Sequence, residues 1–186
     1  GTVSKAQYDE IIEELLRLPG KMEQMLEDIE DIKHFASNYF NHNSVFFIGR
    51  NLDYAMGLEG SLKLKEISYI HSEAYASGEL KHGTISLIED GTLVIALGTY
   101  EPLFDKTMSN VKEVKARGAR VLGVALEGNR AIYSEADDVI LVPRMDNLFV
   151  VPAEIVPLQL FAYYVAKANG CAIDKPKNLA KSVTVE

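Results

Sequence analysis

A lysine near the carboxyl terminus is the first candidate for chemistry. Residues 178–186 carry an apolar residue at every second position from Leu179 to Val185, except at Lys181. Apolar surroundings would lower the pKa of this lysine, because desolvation disfavours the charged amine. The neutral amine could then form a Schiff base with a sugar carbonyl. Lysines are exposed by default, so the spacing alone leaves open whether Lys181 is reactive or simply solvated.

Three charged residues form a second candidate. Glu59, Lys63 and Glu66 are spaced at i, i+4 and i+7, which places them on one stripe of a helix. Such a stripe can be a solvated ladder of ion pairs, each of small energy. It can also present a carboxylate that moves a proton between adjacent sugar carbons, with the lysine holding its charge. The spacing does not choose between these two interpretations.

One of the four histidines has a distinctive setting. His82 lies between Lys81 and Gly83, and its ordinary pKa of about 6.5 would let it donate or accept a proton at neutral pH. A structural or merely exposed histidine is the alternative interpretation. The other three match no motif, and we interpret them as structural: His34, His42 and His71.

A turn that could hold a phosphate is expected at residues 49–53, after the first predicted strand. Ligands bind at the carboxyl ends of parallel strands, so the place is suitable. The turn nevertheless lacks the serine and threonine hydroxyls of a phosphate cradle, and Asp53 would repel an anion. We interpret it as a degenerate site.

Five short apolar segments predict the strands that would position these residues. They are continuously apolar, which is typical of strands buried on both faces. They lie at 44–48, 72–76, 92–97, 120–126 and 138–143, and helical patterns at 53–67, 102–117 and 152–169 separate most of them. This alternation predicts a three-layer α/β/α sandwich with a mainly parallel five-stranded sheet. Pro157 is expected to delay the last helix, because an interior proline costs about 3 kcal/mol.

Two helices are predicted ahead of the first strand. Apolar residues recur at helical spacing from Tyr8 to Leu18, and Pro19-Gly20 is expected to end that helix. A second helical pattern runs from Met22 to Ala36. We therefore divide the chain into a linker or packing helix at 1–20 and a domain at 21–186.

Bulk composition excludes several classes of protein. The chain has 186 residues, 47% of them hydrophobic and 25% charged, which suits one globular domain. A net charge of −8 argues against nucleic acid as a partner. No apolar run approaches the ~20 residues of a membrane span, and no signal-peptide pattern is present, so a cytoplasmic location is expected. The single cysteine, Cys171, excludes an internal disulfide and a multi-cysteine metal site.

Three motifs resemble a known enzyme family. LEGSLKLKE at 58–66, GELKHG at 78–83 and NLAKSVTVE at 178–186 are similar to the C-terminal half of glucosamine-6-phosphate synthases, the isomerising glutamine–fructose-6-phosphate aminotransferases. The resemblance covers roughly residues 20–186 and implies the sugar isomerase (SIS) fold.

The resemblance implies a role for the tail. Lys181 matches the family lysine that forms an imine with fructose 6-phosphate. Asn178 and Ala180 match the family residues that stand beside that lysine in the motif. Lys177 stands where many relatives carry arginine. Lysine keeps the positive charge but loses the planar fork that makes bidentate contacts.

The resemblance also implies roles for the stripe and for the histidine. Glu66 matches the base of the isomerisation step, with Glu59 and Lys63 as supporting residues. His82 matches a histidine that helps to open the hexose ring and comes from the neighbouring subunit of a dimer. This chemistry requires neither a metal nor an organic cofactor.

The resemblance finally predicts that the chain is one part of a larger enzyme. The family makes glucosamine 6-phosphate from fructose 6-phosphate and glutamine, using a glutaminase and a first SIS domain that are missing here. We therefore expect the second SIS domain of a homodimeric enzyme, inactive by itself. The alternative is a non-catalytic SIS module that binds a sugar phosphate for regulation or serves dimerisation. Such a module would not need Glu66, His82 and Lys181 together.

Overall fold

A parallel sheet of five strands forms the centre of the fold. The computed structural model describes residues 2–27 and 29–177. Its strands are β1 (Ser44–Gly49), β2 (His71–Ala76), β3 (Leu93–Gly98), β4 (Arg120–Leu126) and β5 (Asp138–Val142). They pair in the order β2-β1-β3-β4-β5, and every pair is parallel. The predicted five-stranded sheet is confirmed.

Helices cover both faces of the sheet and complete three layers. They are α1 (Lys5–Glu27), α2 (Glu30–Tyr39), α3 (Leu52–Ser68), α4 (Phe104–Lys115), the single turn α5 (Ile132–Glu135) and α6 (Val150–Ala168), with 3₁₀ segments at Ser77–His82, Thr84–Leu87 and Glu101–Leu103. Residues Val45 and Phe47 of β1 pack against α2, α3 and α6. Their neighbours Phe46 and Ile48 pack on the opposite face with α4 and α5. Burial on both faces explains why the strands are continuously apolar.

The first helix runs through the proline that was expected to end it. Pro19 lies inside α1, which continues to Glu27. Proline removes one backbone hydrogen bond, but a side-chain contact spans the site, since Lys21 Nζ lies 3.0 Å from Glu14 Oε2. The same ammonium donates to the carbonyl of Arg144 at 2.9 Å, which ties the helix to the domain. The predicted helix end was wrong, and the division of the chain at residue 20 stays a prediction.

The last helix also begins earlier than predicted. It starts at Val150, with Pro152 in its first turn, and Pro157 lies inside it. Packing explains why α6 tolerates Pro157, because the helix buries residues such as Leu158 and Phe161 in the core. Each such side chain contributes about 1.5–3 kcal/mol, so a few of them outweigh the local cost of the proline. Among the described residues, no helix is long and apolar enough to cross a membrane.

The end of β1 approaches the start of α3 so closely that only glycine fits. A Cβ atom on Gly49 would lie 2.6 Å from the carbonyl carbon of Asp53 and 2.8 Å from the backbone nitrogen of Tyr54. Both atoms belong to the backbone, so a side-chain rotation cannot relieve the contact. This approach fixes where α3 leaves the sheet, and α3 carries the charged stripe.

Replacing Gly49 by alanine should therefore destabilise the domain by about 1–3 kcal/mol or more, because backbone must move to admit the methyl group. The control is Gly20→Ala in α1, where a new Cβ would meet nothing within 4 Å. Alanine there should stabilise the helix by up to about 1 kcal/mol. Urea unfolding measures both variants, and a Gly49→Ala domain as stable as the wild type would contradict the packing argument.

Candidate active site

The structure brings the predicted charged stripe together on α3. The ammonium of Lys63 lies 2.8 Å from Glu66 Oε2 and 3.4 Å from Glu59 Oε1. The hydrogen bond to Glu66 raises the pKa of Lys63, and the negative charges of Glu66 and Glu59 act in the same direction. Lys63 is therefore held charged, as a counter-ion for two carboxylates rather than as a neutral amine.

Helix packing explains why the stripe is accessible. The opposite face of α3 is buried against the sheet and α6 through residues such as Gly60 and Leu64. The stripe consequently lies partly exposed, with about a quarter of the Glu66 side-chain surface open to solvent (26%). Beside it on the same helix, Leu58 and Leu62 are 48% and 42% exposed. The stripe thus has apolar neighbours that the described part of the chain leaves largely exposed.

His82 lies apart from this stripe. It ends the 3₁₀ segment Ser77–His82 that follows β2, and it is exposed. Within residues 2–27 and 29–177, it has no hydrogen bond or ion pair to Glu66 or Lys63. Its predicted role in ring opening stays a prediction.

Asn178, Ala180 and Lys181 lie outside the described residues. The preceding residue is placed: the backbone N–H of Lys177 donates to the hydroxyl of Tyr69 at 2.8 Å. Tyr69 directly follows α3 and stands three positions after Glu66.

Internal contacts engage both charged residues of the turn at 49–53, although the buried Nε of Arg50 has no hydrogen-bond partner among the described residues. Asp53 is 1% exposed and accepts hydrogen bonds from Thr99 Oγ1 at 2.7 Å and from the backbone N–H of Tyr100 at 3.1 Å. Arg50 donates to Asn110 Oδ1 at 2.8 Å. Burial raises the pKa of Asp53 to about 6, although its hydrogen-bond donors act the other way. The contacts of Asp53 agree with the interpretation that the turn is a degenerate phosphate loop, whereas the unpartnered Nε of Arg50 does not add to it.

A second buried carboxyl group near Asp53 was not predicted. Glu154 of α6 is 0% exposed, and neither of its carboxylate oxygens has a hydrogen-bond partner among the described residues. Burial raises the pKa of Glu154 well above its usual range, and the negative charge of Asp53 adds to the effect. A single acidic residue in the apolar segment 150–162 was the available signal.

Comparison with known proteins gives the family to which a chain with this fold and site belongs. The SIS domain family matches residues 38–168, and the chain belongs to that family. Curated relatives include the isomerising glutamine–fructose-6-phosphate aminotransferases of Clostridium tetani, 54% identical over 186 residues, and of Caldanaerobacter subterraneus, 55% identical over 186 residues. Both matches cover 100% of this chain, which spans 31% of the length of each relative.

A solved structure gives the same result. The C-terminal domain of glucosamine-fructose-6-phosphate aminotransferase from Francisella tularensis is similar with a TM-score of 0.84 and 33% sequence identity. The match covers 94% of this chain and 49% of that one. The family and the fold implied by the sequence motifs are confirmed.

The buried carboxyl group of Glu154 should make stability depend on pH. The pKa of Glu154 is raised in the folded state above its ordinary value of 4.5. Its contribution to the free energy of unfolding is therefore fully present below pH 4.5, where the carboxyl group is protonated in both states, and is lost as the pH rises. Glutamine does not ionise, so Glu154→Gln removes this pH-dependent loss. Above pH 4.5, the free energy of unfolding of the variant should rise relative to that of the wild type by at most about 1.4 kcal/mol per pH unit. Urea unfolding at several pH values measures the difference. The exposed Glu10→Gln is the control, and parallel curves for Glu154→Gln and wild type would contradict the prediction.

Proposed function

We propose that this chain is the second SIS domain of an isomerising glutamine–fructose-6-phosphate aminotransferase. The whole enzyme would make glucosamine 6-phosphate from fructose 6-phosphate and glutamine. The observation that carries the proposal is the ion-paired stripe on α3, in a chain 54% identical along its whole length to such an enzyme.

The stripe is suited to proton transfer. Glu66 engages Lys63 through Oε2, and no hydrogen bond to its Oε1 occurs within the described residues. The free oxygen can take a proton from C1 of the sugar imine, and the resulting acid can return a proton to C2. The electron pair of the C1–H bond forms a C1=C2 double bond, while the electrons of the C2=N bond move to nitrogen, which takes up a proton. The C1 hydroxyl then loses its proton to become the aldehyde, and the electrons of the C1=C2 bond take the proton returned to C2. Lys63 would hold the charge of Glu66, and Glu59 would help to orient Lys63.

Lys181 is proposed as the group that captures the sugar. Its neutral amine would attack the C2 carbonyl of open-chain fructose 6-phosphate, and water would leave as the imine forms. Ammonia released from glutamine would then displace the lysine at C2. His82 would assist ring opening in the neighbouring subunit, which makes a homodimer part of the proposal. Asn178 and Ala180 are proposed as supporting residues, because they stand beside Lys181 in the same sequence motif.

Other parts of the same polypeptide would complete the site. The chain matches 31% of its curated relatives and 49% of the solved relative, which leaves room for a first SIS domain and a glutaminase. The exposed Leu58 and Leu62 beside the stripe suit a surface that another domain covers. Because sugar phosphates and glutamine are intracellular metabolites, the proposal includes a cytoplasmic location. A non-catalytic sugar-phosphate module has less support, since such a module would not need Glu66, His82 and Lys181 together.

The proposal predicts where a substrate imine forms. Full-length polypeptide treated with fructose 6-phosphate and borohydride should carry the reduced adduct at Lys181, read by mass spectrometry. Lys181→Arg should abolish the label and lower turnover roughly a thousandfold or more, because a guanidinium stays charged and cannot condense.

Two controls make the result specific. Lys175→Arg changes a nearby exposed lysine and should leave label and turnover intact. The isolated 186-residue chain should not be labelled, because most of the desolvating pocket would come from the missing domain. A label at Lys63, or normal turnover by Lys181→Arg, would refute the assignment.

A further inference from the structure

We propose that Arg50 is a positioning residue for His82, because its guanidinium group fixes the start of the 3₁₀ segment that ends at this histidine. The inference rests on the proposed function for what His82 does to the sugar. The contacts of Arg50 with the segment involve described residues alone, so they can be tested separately.

The register of the sheet brings Arg50 to this segment. Strands β1 and β2 are parallel neighbours, and Gly49 at the end of β1 pairs with Ala76 at the end of β2. Arg50 directly follows the first of these two residues, and the segment Ser77–His82 directly follows the second. The two parts of the chain therefore leave the sheet side by side at its carboxyl edge.

The guanidinium group of Arg50 occupies the space beside Gly78, the second residue of the segment. A Cβ atom on Gly78 would lie 2.9 Å from the terminal nitrogen Nη2 of Arg50, and 3.4 Å from both its Cζ and its Nη1. Gly78 does not have the left-handed backbone that favours glycine, so the backbone itself would admit a side chain. The close approach of Arg50 is what a side chain at this position would disturb.

Helix α4 holds the guanidinium group in this place. The same Nη2 donates to Asn110 Oδ1 at 2.8 Å. Asn110 is 5% exposed, and its amide nitrogen donates to Glu113 Oε2 at 3.1 Å. Because a carboxylate only accepts hydrogen bonds, Glu113 turns the amide nitrogen toward itself and the amide oxygen toward Arg50. The guanidinium group therefore cannot move away from Gly78 without giving up its bond to Asn110.

A buried leucine lies between this contact and the histidine. Leu80 is 1% exposed and belongs to the core between the sheet and α4. His82 follows two positions later, exposed, at the end of the segment. A 3₁₀ helix rises about 2.0 Å per residue, so His82 stands roughly 8 Å along the axis from Gly78. With Leu80 fixed in the core, a shift of Gly78 tilts this short segment and moves the imidazole. A displacement of about 1 Å can lower a catalysed rate about a hundredfold.

The contact is tested in the 186-residue chain by combining two substitutions. Gly78→Ala should lower the folding equilibrium constant about tenfold in the wild type, because the new methyl group meets the guanidinium. The same substitution should cost less than about twofold in an Arg50→Met chain, since methionine ends short of Gly78. Urea unfolding measures both. Gly20→Ala, where a Cβ meets nothing within 4 Å, is the control and should have the same effect in both backgrounds. An equal penalty for Gly78→Ala in both backgrounds would overturn the contact.

The positioning role is tested in the full-length polypeptide. Arg50→Met should lower kcat for glucosamine 6-phosphate formation roughly 10–100-fold, with KM for fructose 6-phosphate changed less than about twofold. In a His82→Ala enzyme, the same substitution should lower kcat less than about twofold further, because the histidine through which Arg50 acts is already missing. Arg130→Met, at an exposed arginine, is the matched control and should leave kcat unchanged in both backgrounds.

The outcomes separate the two proposals. An equal loss of kcat from Arg50→Met with and without His82 would overturn the positioning role and leave Arg50 as a structural residue. Normal turnover by His82→Ala would refute the proposed role of the histidine, and the positioning role with it, even where urea unfolding shows that the contact between Arg50 and Gly78 exists.

Discussion

The placement of α3 is the constraint on which the rest of the structure depends. At its start, the close approach at Gly49 sets the helix directly on the end of β1, and Asp53 ties the first turn to the residues that follow β3. Along its length, Gly60 admits the core side chains of β1 and α6. At its end, Tyr69 holds the segment that leads to the tail. Only the outward face remains, and the charged stripe occupies it.

This placement is maintained at some cost to stability. Asp53 and Glu154 bring two carboxyl groups into the core between α3 and α6, and burial opposes the ionisation of both. An unpaired buried charge is expensive, so these groups hold protons more tightly than they would in water. The extensive apolar packing of α6 outweighs that cost, as it also outweighs the proline at position 157. The packing between α3 and α6 therefore determines which face of α3 remains open to carry the charged stripe.

Local patterns predicted the sheet and the stripe, because continuous apolar runs and helical charge spacing are visible in short segments. Tertiary packing decided what the sequence could not, as the uninterrupted helices around Pro19 and Pro157 demonstrate. The buried position of Glu154 was not predicted, because no second charged residue stands at a helical spacing from it that would mark a site. The hydrogen bond between Tyr69 and Lys177 was equally hidden, since the two residues are 108 positions apart and a left-handed tyrosine has no sequence signature.

The most direct test of the account is the isomerisation step in a full-length enzyme that carries Glu66→Gln. Single-turnover conversion of the sugar imine to glucosamine 6-phosphate should fall roughly 10²–10⁴-fold, because glutamine cannot accept the proton. Borohydride trapping at Lys181 should persist in the same variant, since imine formation precedes proton transfer. Glu59→Gln, which changes the more distant carboxylate of the stripe, should retain much more activity. Isomerisation at the wild-type rate by Glu66→Gln would contradict the account.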